Sequence, residues 1–264
     1  MDSRLLTKTA AFSLLALLSL AGFLAGAAGG PLVPPARGVI HRHKAGLESY
    51  RSSLGNASEA LALLKGSPGL SSHSGPMGQL DDPLSFSFPA VDAAGVFAGV
   101  TSIFLILAGP LGFILLGVMF AFLAVIPHVE RDRKLRNGAM ALGISAWVFM
   151  AAIPLAVLTA DGLGRIYTGP LRLAAEHRME SFAEDGRELE ETGGEGRDVI
   201  LLVKGLSNYI WFGSASWPFD LILLPVILSW LYYRLGILLA NTLFGSLHLQ
   251  RLGRAIQGAL GRTR

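Results

Sequence analysis

The chain has 264 residues, of which 52 % are hydrophobic and only 16 % charged, against about 25 % charge in soluble domains, and its mean hydropathy is +0.51. The absence of cysteine excludes disulfides, thiolate metal sites, iron–sulfur clusters and cysteine nucleophiles. The net charge of +3 comes from basic residues set beside apolar stretches, where membrane topology accounts for them and nucleic acid need not.

Arg4 and Lys8 precede an apolar segment from Thr9 to Gly30. Residues 1–30 read as an N-terminal transmembrane anchor, or as a signal peptide ending at the small residues Ala25-Gly26-Ala27. Pro31, Pro34 and Pro35 then make an extended exit, and a helix is expected after Gly38. Ile40, Leu47, Leu54 and Leu61 recur every seven residues, with His43, Tyr50, Ala57 and Leu64 at the offset of three. That heptad supports a short coiled coil whose residues Ile40, Leu47, Tyr50, Leu54 and Leu61 bind a partner outside the bilayer, or an amphipathic helix lying on its own protein. Gly66 to Pro89, rich in Ser, Gly and Pro, reads as a flexible connector that completes an extracytoplasmic section over 31–90.

Val91 to Pro127 carries no charge between Asp92 and Glu130. As a helix it would be roughly 50 Å long against a hydrocarbon core of about 30 Å. Gly109-Pro110-Leu111-Gly112 could divide it, but each piece would then be too short to cross, so one overlong span is expected. The charged stretch Glu130-Arg131-Asp132-Arg133-Lys134-Leu135-Arg136 follows, and its four cations place that loop in the cytoplasm. Gly138 to Thr159, with Pro154 inside it, is the returning span of a hairpin over 91–160.

A second outer section occupies 161–216. Glu176, Glu180, Glu184, Asp185, Glu188, Glu190, Glu191, Glu195 and Asp198 make it acidic. It is either the solvated face of a helix from Leu171 to Leu189 or a vestibule that concentrates cations. The last span falls within 217–246, and Trp211 and Trp217 at one end, with Trp230, Tyr232 and Tyr233 nearer the other, fit aromatic belts at the two interfaces. Arg234 is an intramembrane or interfacial charge, able to snorkel to headgroups or to meet an anion. The tail, 247–264, is basic and amphipathic, and its Arg251 and Arg254 are candidates for contact with anionic lipids or a partner.

Catalytic and cofactor signatures fail on inspection. None of the six histidines falls in the middle of a span, so paired haem ligands are not available from this chain. His41 and His43 would point about 200° apart on a helix and could not chelate together. Gly213-Ser214-Ala215-Ser216 resembles a serine-nucleophile turn in letters only, so serine catalysis is not expected, and there is no Gly-rich lysine loop for nucleotide phosphates. No metal and no cofactor are expected. Asn56-Ala57-Ser58 is a glycosylation sequon.

The expected fold is an all-α, multi-pass membrane bundle with four transmembrane helices, three if the first segment is removed, and with helical extramembrane sections. Both termini are expected in the cytoplasm of a plasma or inner membrane. The expected function is that of a non-catalytic subunit or scaffold of a larger membrane or envelope complex, not of an enzyme. Its partners would be other membrane subunits, a second copy of itself, or anionic lipids. The alternative is a channel or transporter subunit with an acidic outer vestibule.

Overall fold

The computed structural model describes residues 3–24, 32–66, 74–125, 133–192 and 196–260, nearly all helical and with no strand among them. The helices in chain order are α1 (Ser3–Leu24), α2 (Val33–Gly66), α3 (Ser74–Gly78), α4 (Asp81–Val125), α5 (Arg133–Trp147), α6 (Ile153–Tyr167), α7 (Gly169–Thr192), α8 (Gly196–Pro218) and α9 (Leu224–Leu260). Two π turns, Val148–Ala152 and Phe219–Leu223, carry α5 into α6 and α8 into α9.

Three stretches are long and apolar enough to cross a bilayer: Asp81–Ala124, Asn137–Tyr167 and Leu202–Thr242, with mean hydropathies of 2.6, 2.2 and 1.9. This is a membrane-embedded, all-α protein. The apolar part of α1, Thr9–Phe23, is shorter than a span, so among the described residues three stretches are long and apolar enough to cross, not the four expected. The segment Ala25-Gly26-Ala27 and the charged loop from Glu130 to Asp132 lie outside the described residues.

Several boundaries move outward from the sequence expectation. Helix α2 begins at Val33 with Pro34 and Pro35 in its first turn, where the missing N–H groups would have had no partner in any case. Helix α4 begins at Asp81, so the connector expected up to Pro89 ends earlier. Asp81 and Asp82 sit in its first turn, where the helix dipole favours carboxylates. Lys65 at the end of α2 fastens Asp81 at 2.6 Å. Gly109-Pro110-Leu111-Gly112 does not divide α4, whose 45 residues extend over about 68 Å. The last span starts at Leu202 instead of Trp217, because the apolar residues before Trp217 join the same helix.

Both π turns end two residues before a proline, Pro154 in one case and Pro225 in the other. A proline ring clashes with the carbonyl four residues back and offers no N–H to it. The helix answers by widening: Ile153 N–H donates to the Val148 carbonyl and Leu224 N–H to the Phe219 carbonyl, each five residues back.

The chain divides into two compact units. The first comprises 1–34, 105–156 and 228–264, and the second 35–104 and 157–227. In the first, α1 lies close to α4, with Gly117 opening room for Ser19 and Gly22 for Phe113. A Cβ on Gly112 would overlap Met150, which marks a close approach of two spans. Trp147 donates its indole N–H to the Tyr232 carbonyl at 3.1 Å, tying α5 to α9.

The second unit is built on the heptad face of α2. Ile40, Leu47, Tyr50, Leu54, Ala57, Leu61 and Leu64 are all buried within the chain's own core. Ala175, Met179 and Phe182 of α7 and Val203, Leu206 and Ile210 of α8 are buried in the same unit, and α7 packs along α8. The five heptad residues expected to bind a partner are therefore buried in the chain's own packing.

Candidate functional site

The second unit contains a node of charged and aromatic side chains gathered around Trp217, which α8 delivers at its C-terminal end. Arg172 of α7 lays its guanidinium over the Trp217 ring at 4.4 Å from the centroid. The rings of His43 and Tyr50, seven residues apart on α2, meet Trp217 edge-on at 6.0 and 6.1 Å. Gly46 lies between them in sequence because a Cβ there would stand 2.8 Å from the indole. The heptad thus aligns two polar residues, one turn apart on each side of Gly46, with one indole.

Two acidic residues complete the node. Asp220 lies in the π turn Phe219–Leu223, with its side chain 1 % exposed, and its Oδ2 is 2.9 Å from Arg172 Nη1. The Thr168 hydroxyl also hydrogen-bonds Asp220 Oδ2. Gly164 makes room for this carboxylate, since a Cβ there would come within 2.6 Å of Oδ2. Asp161 of α6 receives His43 Nε2 at 3.2 Å, Arg42 at 3.2 Å and Arg165 at 2.7 Å. Arg42 and Arg165 are 58 % and 60 % exposed, whereas Arg172 and His43 are each 11 % exposed. The node therefore grades from two solvated cations at Asp161 to a sealed ion pair at Asp220.

Burial governs the electrostatics of the groups outside the spans. It pulls the His43 imidazole below its usual range, more strongly than Asp161 raises it, and Arg172, Arg42 and Arg165 lower it further. Burial lowers the Arg172 guanidinium too, with Asp220 opposing. It pushes the Tyr50 phenol up to about 12, although the hydrogen bond with Ser214 at 3.2 Å works against the rise. Glu176, one turn after Arg172, is raised by burial and by Glu180 beside it.

Three buried polar atoms of the node have no hydrogen-bond partner among the described residues: Arg172 Nη1, Trp217 Nε1 and Asp220 Oδ1. Arg172 Nη1 retains its ion-pair distance to Asp220, but the other two have no compensation. A buried unsatisfied group costs about 1–3 kcal/mol. No group of three or more His, Cys, Asp or Glu able to hold a metal occurs among the described residues.

The other residues singled out in the sequence lie elsewhere. Arg234 is exposed on α9 and packs over Trp230 at 5.4 Å, beside a groove of about 510 Å³ that it lines with Leu231, Leu238 and Asn241. Arg251 and Arg254 fall in the helical end of α9, and their side chains are outside the described set. Glu180, Glu184, Asp185 and Glu188 project from the exposed face of α7. Ser214 is buried against Tyr50, and Gly213 is closed over by Tyr50 and Ala175. Comparison with family models, with curated proteins and with solved structures finds no match to this chain.

The node escaped the sequence reading because its members come from four separate helices and one π turn. Asp220 left a visible signal: it is the only acidic residue of the last span, within Pro218-Phe219-Asp220-Leu221-Ile222. A carboxylate in such a run needs a partner. Arg172 gave no comparable signal among the charges of the acidic section.

Proposed function

We propose that this protein is a non-catalytic integral membrane subunit that supports partners in a larger membrane assembly. One observation carries this reading: α4 is a single helix of 45 residues, roughly twice the length needed to cross a hydrocarbon core of about 30 Å. Its residues up to Phe104 belong to the second unit, where α2 and α7 bury their apolar faces. The chain thus puts much of its length into a helical body whose interior is filled by its own side chains. Its outward faces, including the carboxylates of α7, are left for contact. In this reading the termini are cytoplasmic, α1 acts as a fourth membrane anchor, and Arg251 and Arg254 meet anionic headgroups or a subunit.

The test is purification of the native chain in mild detergent, with the particle mass and every co-purifying protein determined. Stoichiometric foreign subunits are the expected result. A particle made of this chain alone would overturn the proposal.

A second reading, a channel or transporter subunit, is favoured by one feature, the Arg172–Asp220 pair. Ionisable residues within membrane spans commonly mark routes for ions or protons, and Asp220 lies within Leu202–Thr242. Flux across liposomes containing the purified chain, abolished by Asp220→Asn, is the result this reading requires.

A further inference from the structure

We infer that Asp220 is a proton-binding site, able to take up a proton on Oδ1 while its Oδ2 keeps its place beside Arg172. The inference stands apart from both functional readings, since a subunit of either kind could contain it.

The geometry separates the two oxygens of one carboxylate. Oδ2 is engaged on two sides, by Arg172 Nη1 at 2.9 Å and by the Thr168 hydroxyl. Oδ1 is buried and has no partner among the described residues. A proton arriving from water forms its O–H bond at Oδ1 and displaces neither neighbour of Oδ2. The node gains one positive charge and nothing else is transferred.

The donor inventory around Oδ2 agrees. Thr168 has a single hydroxyl proton, and its Oγ1 lies within hydrogen-bonding reach of two acceptors, the Gly164 carbonyl at 2.8 Å and Asp220 Oδ2. A charged carboxylate and a carbonyl therefore share one donor. A proton on Oδ1 relieves this shortage by neutralising the acceptor that otherwise demands the most.

Arg172 is equipped for the loss of its anion. Its guanidinium rests on the face of Trp217 at 4.4 Å, an attraction that does not titrate. Asp161 and Glu176 also favour its charge. The titratable and charged groups of the node are His43, Arg42 and Tyr50 from α2, Asp161 and Arg165 from α6, and Arg172 and Glu176 from α7, of which Arg172 and Asp161 act directly on Asp220. His43 and Asp161 join at 3.2 Å where the node reaches the exposed Arg42 and Arg165, the side from which a proton enters.

The experiment is a pH titration of the purified chain in lipid nanodiscs, followed by infrared spectroscopy of the carboxylic-acid C=O stretch. Acidification is expected to produce a band that Asp220→Asn abolishes. Arg172→Gln, which removes the cation favouring the carboxylate, is expected to shift that band's appearance to higher pH. Absence of any Asp220-dependent band over the pH range in which the protein stays folded would overturn the inference. Should Asp220→Asn fail to fold, the wild-type chain with ¹³C-labelled aspartate side chains supplies the same readout. One buried carboxyl carbon whose shift follows pH, and whose transition moves in Arg172→Gln, supports the site. A set of aspartates titrating only in the solvent-exposed range, unmoved by Arg172→Gln, overturns it.

Discussion

Arg172 and Asp220 are 48 positions apart in sequence and 2.9 Å apart in space, a cation on α7 and a carboxylate in the π turn that follows α8. Both are buried, so the pair is little screened, and removing one partner leaves the other uncompensated in a low-dielectric interior. Arg172→Met alone is therefore expected to cost about 3–5 kcal/mol, read as a fall in the thermal unfolding midpoint in detergent. The double variant Arg172→Met/Asp220→Leu is expected to recover much of that loss. Equal midpoints for the single and double variants would show that the pair is not coupled.

His43 makes stability depend on pH in a known direction. Its folded pKa is lowered below the usual 6.5, so the unfolded chain takes up this proton more readily than the folded one. Its contribution is present above about pH 6.5 and is lost as pH falls from there toward the folded value. The midpoint should fall between pH 7.5 and pH 5.5, and His43→Gln should flatten that slope. Glu176 works in the opposite sense because its pKa is raised, so Glu176→Gln should steepen the acid loss. A wild-type midpoint that rises on acidification would contradict the burial argument for His43.

How much of this was legible beforehand depended on whether a feature was local. The spans were readable because hydropathy is a property of consecutive residues, and the single helix through Gly109-Pro110 followed from length alone. The heptad of α2 was equally plain, but a heptad does not say whose surface it covers. Leu47, Leu54 and Leu61 turned out to face the chain's own core. Helix starts were misplaced where prolines and aspartates look like breakers yet suit a first turn, at Pro34 and at Asp81. The node was not legible as a whole, because no spacing links His43, Asp161, Arg172 and Asp220. Only tertiary packing brings them together.

Tyr50 offers a test at the alkaline end. Its phenol is raised from 10 to about 12, so the contribution it makes is complete below about pH 10 and is lost as pH climbs through 12. Tyr50→Phe should lower the midpoint modestly at pH 8, where Ser214 loses its partner at 3.2 Å, and should narrow the gap to wild type as pH rises above 10. A gap that stays constant from pH 8 to pH 11.5 would remove Tyr50 from the alkaline response.

Pro225 separates strain from purpose in the π turn. A proline inside a helix costs about 3 kcal/mol relative to alanine, so Pro225→Ala would ordinarily stabilise. Here the extra residue of the turn Phe219–Leu223 sets the phase at which Trp217 and Asp220 leave the helix. Alanine at 225 supplies an N–H for the Leu221 carbonyl and allows a regular α-helix, which would turn Asp220 relative to Trp217 at the end of α8. Arg172 would lose its carboxylate. Pro225→Ala is therefore expected to lower the midpoint, whereas Pro154→Ala, whose π turn holds no charge, should leave it unchanged or raise it. If both variants gain stability alike, the turn at Phe219–Leu223 is the cost of its proline and nothing more.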